Sequence, residues 1–275
     1  MRLDKKEFYK GFDDIFGPAS ELAEAKNNLV QFVDPRSVQQ TPNQSAVYKS
    51  NGVKKATAAD PIRDPKDILR IQKYFKDRDE FRNYALFTLA ISSMLRASDL
   101  LALTFGDIWD PETADHIQKA DIREYILVKE KKTGKKNKIY INEKCRDALD
   151  LYFGWLYAER DITWLTEDMP VFFSDTSFEK DPENPKAISI QMFDKILKRA
   201  GKDLGLEEHL STHSLRKTMV YHTIKNSNYD QYTLYLLQRM LNHSDVRTTF
   251  RYCGLEEESI KKIREDIGKM LGRGW

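Results

Sequence analysis

Between Tyr84 and Leu95 the chain runs for 12 residues with only Thr88, Ser92 and Ser93 interrupting the apolar side chains. A helix without a polar face must be surrounded by protein, so a domain has to be built around this stretch. A bilayer span would need roughly 20 apolar residues, which excludes a membrane role for it. The rest of the chain can supply the surround. Its 275 residues are 40% hydrophobic and 11% aromatic, enough for one large domain or two ordinary ones, while 32% charge implies a heavily solvated surface. Forty-five Lys and Arg against 43 Asp and Glu leave +2, which argues against both an acidic disordered tail and a histone-like polycation. Nucleic-acid binding then depends on local clustering and not on net charge. Two cysteines, Cys145 and Cys253, are too few for a disulfide framework or a cysteine-based zinc site. The start, Met1-Arg-Leu-Asp-Lys-Lys, carries mixed charge and is not read as a secretory signal. The expectation is a cytoplasmic protein with no membrane association.

Residues 5–33 show two short helical patterns separated by Gly17-Pro18, and Asp34 to Asp60 is polar with few large apolar side chains. Residues 1–60 are therefore read as a short helical segment plus linker, and 61–275 as the main domain. Helices are predicted over Pro65–Lys76, opened by Asp64-Pro65, and over Phe81–Leu95. Two β-rich runs, Glu124–Val128 and Lys138–Ile141, flank Lys132-Thr-Gly-Lys135 and predict a hairpin. After Asn142 the patterns are mostly helical: Glu143–Arg160, Ser189–Leu204, His213–Lys225, Asp230–Leu241 and Glu256–Leu271. The fold class is mainly α with a small antiparallel β-sheet.

Four local patterns carry chemistry. In Met94-Leu-Arg-Ala-Ser-Asp-Leu100, Arg96 follows the buried helix at once, with Asp99 three residues on to orient it; alone, this is an ion pair between helix ends. The hairpin Lys129–Lys138 holds six lysines and one glutamate, a local charge of +5. That suits a phosphate backbone, although solvated turns are often lysine-rich. In Ser211-Thr-His-Ser-Leu-Arg-Lys217, Ser211 or Thr212 can cap a helix. His213 and Arg216 then share one face, where an imidazole can trade protons and a guanidinium can hold charge. In Leu241-Asn-His-Ser-Asp-Val-Arg-Thr-Thr-Phe-Arg-Tyr252, a short helix from Ser244 places a phenol nine residues beyond His243.

Taken in order, Arg96, Lys132, His213-x-x-Arg216, His243 and Tyr252 resemble the tyrosine recombinase family of phage integrases, dimer resolvases and transposon integrases. MLRASDL is similar to the family's first box, HSLRK to its second, and LNHSDVRTTFRY to its last histidine and tyrosine. Two positions depart: Asn242 stands where glycine usually precedes the last histidine, and Lys217 where histidine often closes the second box. The family's DNA-clamping domain takes on the order of 80–100 residues, whereas about 60 precede the matching part here, so the clamp is reduced or missing.

The resemblance implies a tyrosine-recombinase-like catalytic domain in which Tyr252 is the nucleophile. Arg96 and Arg216 would clamp the scissile phosphate, with His213 and His243 beside them. Lys132 would be the general acid, with Lys131 and Lys135 not excluded from that role; Lys131, Lys135 and Lys136 are assigned to DNA contact. The implied function is a site-specific recombinase or integrase working through a 3′-phosphotyrosine, without ATP, metal or other cofactor. A non-cleaving DNA-binding module and a type IB topoisomerase-like enzyme are the alternatives. The implied partner is double-stranded DNA with paired recombination sites. Ile260, Ile263, Ile267 and Met270 form an amphipathic tail, which either docks on a neighbouring protomer in a tetrameric synapse or packs on its own domain.

Overall fold

Asp64 opens the first helix. Its carboxylate accepts the Lys66 N–H at 2.8 Å, and Pro65 occupies a first-turn position where no N–H is needed. Helix α1 (Pro65–Lys76) turns Ile71, Tyr74 and Phe75 inward. Helix α2 (Phe81–Ser93) is buried along nearly its whole length, as its apolar run demands, and packs against α1, α5 (Glu143–Ala158) and α8 (Thr212–Asn226). This computed structural model describes residues 59–109, 122–160, 162, 165–206, 209–227, 230–253 and 256–272. The helical patterns expected in residues 5–33, and the polar segment as far as residue 58, lie outside the described residues.

The described part is mostly helical with one two-stranded antiparallel sheet, the expected class. Strands β1 (Tyr125–Lys129) and β2 (Lys136–Tyr140) pair in the register Tyr125–Tyr140 to Lys129–Lys136. Ile126, Val128 and Ile139 face the core, while Tyr125 and Leu127 are exposed. The remaining long helices, α7 (Ile190–Asp203), α9 (Gln231–Met240) and α11 (Glu256–Gly272), fall where the periodicity predicts them.

The sequence pattern extends one helix too far. Helix α2 stops at Ser93, because Met94 adopts a left-handed backbone with φ of 53°. Between α5 and α7, where no helix is predicted, the described residues form α6 (Asp175–Lys180) and take part in isolated bridges, Thr104 with Pro170 and Phe173 with Ala187. Val171, Phe172 and Phe173 there are fully buried without helical periodicity. Short helices α3 (Ala97–Leu100) and α4 (Phe105–Ile108) were also not predicted.

A large apolar cluster surrounds α2 and α5. A second, smaller one joins Met94, Val220, Tyr221, Ile224, Leu234, Leu237 and Leu241, with Val246 and Tyr252 packed on it. That second cluster matters for the site, since it fixes the side chains around Tyr252 against α8 and α9.

Candidate active site

The left-handed residue Met94 redirects the chain out of the core, so Arg96 becomes the N-cap of α3. Its side chain is 23% exposed, and Nη1 donates to Oε2 of fully buried Glu130. Asp99 does not orient Arg96 as expected. It is buried, and its Oδ1 accepts the backbone N–H of Lys131 at 2.9 Å. The hairpin lies close enough to the end of α2 to substitute its own carboxylate.

The hairpin turn is closed by Glu130 N–H to the Lys135 carbonyl at 3.0 Å and Gly134 N–H to the Glu130 carbonyl at 2.8 Å. Gly134 has φ of 67°, a conformation that favours glycine. Lys131, Lys132, Lys135 and Lys136 are all exposed. Among the described residues Lys132 makes no hydrogen bond or ion pair with the Tyr252 cluster, so its assignment gains no geometric support here. Lys138 differs from the others, lying over the Tyr125 ring at 3.8 Å and the Tyr140 ring at 4.9 Å.

Ser211 is the cap of α8. Its hydroxyl accepts the Ser214 N–H at 3.2 Å, which settles the choice between it and Thr212. His213 then sits in the first turn, and Arg216 one turn later is 3% exposed, its Nη2 donating to the Leu241 carbonyl at 2.9 Å. Leu241 ends α9, and Asn242 follows with φ of 54°. The left-handed backbone explains why glycine suits this position and why asparagine is tolerated there. His243 Nδ1 pairs with the Thr249 hydroxyl at 3.0 Å, leaving Nε2 as the other ring nitrogen. Helix α10 (Val246–Cys253) delivers Tyr252, whose hydroxyl lies 3.1 Å from His213 Nδ1. The Arg216 guanidinium lies 5.8 Å from the Tyr252 ring centre, and the Lys217 ammonium is at the same distance. The His213 and His243 rings both meet the tyrosine edge to face, at 5.0 and 5.4 Å.

Burial and the neighbouring cations favour the neutral form of both imidazoles, and burial favours the protonated phenol. Loss of water on the side packed against Tyr252, then the cations Lys217, Arg216 and Arg96, hold His213 below its ordinary pKa, although the residue as a whole is exposed. Burial, then Arg216 and Arg96, push His243 down to about 4. Burial raises the Tyr252 phenol above its ordinary value against the opposing pull of Arg216 and Arg96. In the tautomer that carries its proton on Nε2, a neutral His213 presents Nδ1 as an acceptor for the phenol proton.

The same depression has a stability consequence. Unfolded, His243 takes a proton near its ordinary 6.5; folded, it does so only near 4. Between those values the unfolded chain holds more protons, so acid favours unfolding. The urea midpoint is expected to be flat above pH 6.5, to fall toward pH 4, and to fall less in His243→Gln. Equal pH dependence in the two proteins would show that His243 is not desolvated.

Five of the six expected catalytic residues thus come together around Tyr252, with Arg96 close enough to act on its charge and on both histidines. Sequence reasoning missed Glu130, which it counted only as one negative charge in a lysine run, as well as Thr249 and the side chain of Asn242. Among the described residues no group of three or more His, Cys, Asp or Glu is placed to hold a metal ion. No helix among them is long and apolar enough to cross a membrane.

The fold is that of tyrosine recombinase catalytic domains. The XerA recombinase superposes with a TM-score of 0.54 at 18% identity, over 76% of this chain and 64% of that one. XerH bound to its palindromic difH substrate, in a post-cleavage complex, superposes with a TM-score of 0.51 at 18% identity, over 71% and 51%. Residues 63–259 match the phage integrase family, and the chain belongs to that family. It is 31% identical over 208 residues to the probable integrase/recombinase YoeC of Bacillus subtilis (strain 168), covering 76% of this chain and 96% of YoeC. Against tyrosine recombinase XerC of Caldanaerobacter subterraneus subsp. tengcongensis it is 29% identical over 196 residues, 71% of this chain and 45% of XerC. The chain therefore spans about half the length of its XerC relatives.

Proposed function

We propose that this chain is a site-specific DNA recombinase or integrase that cuts and rejoins strands through a 3′-phosphotyrosine on Tyr252. The observation that carries this is the Tyr252 hydroxyl 3.1 Å from His213 Nδ1, beside the buried Arg216 guanidinium. As the phenol oxygen attacks phosphorus, its proton passes to His213 and the bond from phosphorus to the 5′ oxygen breaks. Arg96 and Arg216 bind the non-bridging oxygens, whose charge grows in the transition state. Lys132 on the exposed hairpin supplies the proton to the departing 5′ oxygen, and Lys131, Lys135 and Lys136 hold the flanking phosphates. Attack by another 5′ hydroxyl reverses the step and joins the strands, so no ATP is consumed. Charge neutralisation falls to the guanidiniums, and the step needs no metal.

Residues 61–275 carry this activity in the proposal. The synapse is a tetramer on paired sites, held through α11. Its support is exposure: Ile260, Ile263, Ile267 and Met270 are each between 49% and 64% exposed, so the described part of the chain leaves that face open. Light scattering of the protein on DNA carrying two sites is expected to show four protomers for wild type and fewer for Ile263→Lys.

A nicked suicide substrate, from which the short fragment bearing the released 5′ hydroxyl diffuses away, tests the chemistry. With EDTA present throughout, wild-type protein and residues 61–275 alone are both expected to become covalently attached to the 3′ phosphate. Binding to a cognate site without any adduct would instead establish a non-cleaving DNA-binding module. Loss of the adduct only on truncation would move the domain boundary.

A further inference from the structure

Glu130 is 1% exposed and sits in a hairpin otherwise dominated by lysine. A buried carboxylate is expensive unless its oxygens are hydrogen-bonded or paired. Here both oxygens are used. Oε2 takes Nη1 of Arg96 and the Thr133 hydroxyl at 2.9 Å; Oε1 takes the side-chain N–H of Asn242 at 2.8 Å and of Asn137 at 3.2 Å. Asn137 also donates to the Met240 carbonyl at 3.2 Å. The hairpin is thereby stapled to the turn that carries His243, and the arginine is attached to the same staple. Burial pushes the Glu130 carboxyl up, but bonds from Asn242, Thr133 and Arg96 outweigh it and hold it ionised.

We infer that Glu130 and Asn242 are a positioning pair that locks the hairpin onto the active site and aims Arg96 at the scissile phosphate. The role rests on the cleavage chemistry proposed above. Glu130 occupies one amino group of Arg96, and the rest of the five-donor fork is left to meet a phosphate in a set orientation. Asn242 does two things at once: it tolerates φ of 54°, and it reaches Glu130 across the site. Glycine would do the first without the second. The pair also explains how a mobile-looking basic turn, whose exposed lysines repel one another, keeps a fixed position relative to His243.

The test separates the backbone role of position 242 from the bond. Asn, Gly and Asp all accept a left-handed backbone, but only Asn donates to Glu130, and Asp would oppose it with a second carboxylate. If position 242 serves conformation alone, the three proteins are equivalent. If the pair positions Arg96, single-turnover cleavage of the suicide substrate at saturating DNA falls about tenfold in Asn242→Gly and about 10²-fold in Asn242→Asp and Glu130→Gln. The dissociation constant for DNA stays within about twofold, since the phosphate-binding lysines are untouched. Equal cleavage by wild type, Asn242→Gly and Asn242→Asp overturns the proposal, as does a loss that appears wholly in DNA affinity. Amide hydrogen exchange on the full chain gives a readout independent of cleavage. The Glu130 and Gly134 amides are expected to exchange faster in Asn242→Gly than in wild type, and unchanged exchange also overturns the lock. A wild-type protein that never forms an adduct would defeat the cleavage reading, and hairpin exchange would then still decide for or against the pair.

Discussion

Tyr252→Phe is expected to bind DNA as wild type does and to form no covalent adduct at all. The substitution deletes one oxygen, and with it the 3.1 Å contact to His213 Nδ1. The ring itself keeps its place against the second apolar cluster and between the two imidazoles. Losing one exposed hydrogen bond costs about 1 kcal/mol of stability at most, too little to unfold a domain of this size. Adduct formation, by contrast, has no oxygen left to proceed through. Denaturing gels of suicide-substrate reactions, with DNA binding measured in parallel, read both effects. A persisting adduct would move the nucleophile, with Cys253 and Ser244 as the nearest alternatives in sequence, and peptide mapping of the DNA-linked fragment would identify it.

Arg216→Lys and Arg96→Lys are each expected to slow cleavage by about 10²-fold or more, the cost of removing a charge donor aimed at the transition state. Lysine keeps the charge but replaces a planar fork with a point, so paired bonds to two phosphate oxygens are lost. The two variants differ in what else they disturb. Arg216 is buried and holds the Leu241 carbonyl at 2.9 Å, so Arg216→Lys leaves that acceptor unmet and lowers stability by about 1–3 kcal/mol. Arg96 is partly exposed, and a lysine there can still reach toward Glu130, so Arg96→Lys isolates the phosphate contact more cleanly. Rates are therefore compared in single turnover at a temperature where both variants are fully folded. Near-normal cleavage by both would remove the phosphate clamp from the mechanism.

How far the sequence could be read depends on whether each feature is local. Helix α1 follows from Asp64-Pro65 and an apolar face, and it begins and ends where that pattern says, at Pro65 and Lys76. The hairpin follows from alternating β-formers around a glycine turn, and α8 from a serine cap one turn before Arg216. In each case the signal and the structure lie within a few residues of one another. Helix α2 was overextended because Met94 is a sound helix former whose left-handed backbone comes from the way the chain turns toward α3. The sequence patterns assign no element to Val171–Phe173, because burial by surrounding elements, and not periodicity, sets their place.

The site divides in the same manner. The spacing of His213 from Arg216 and of His243 from Tyr252 is local, and the order of those residues along the chain was sufficient to name them as candidates. Their meeting was not local: Tyr252 reaches His213 across 39 residues, and Asn242 reaches Glu130 across 112. Asp99 looked like the partner of Arg96 because it is three residues away, yet the fold presents Glu130 from 34 residues on. No pattern in a lysine-rich turn marks the one acid that will be buried. Residue types and short spacings settle which groups this protein has to work with, because they act through neighbouring backbone. Which carboxylate loses its water and faces an arginine is decided only when hairpin, α3 and the turn after α9 pack together, because desolvation and pairing are properties of the assembled interior.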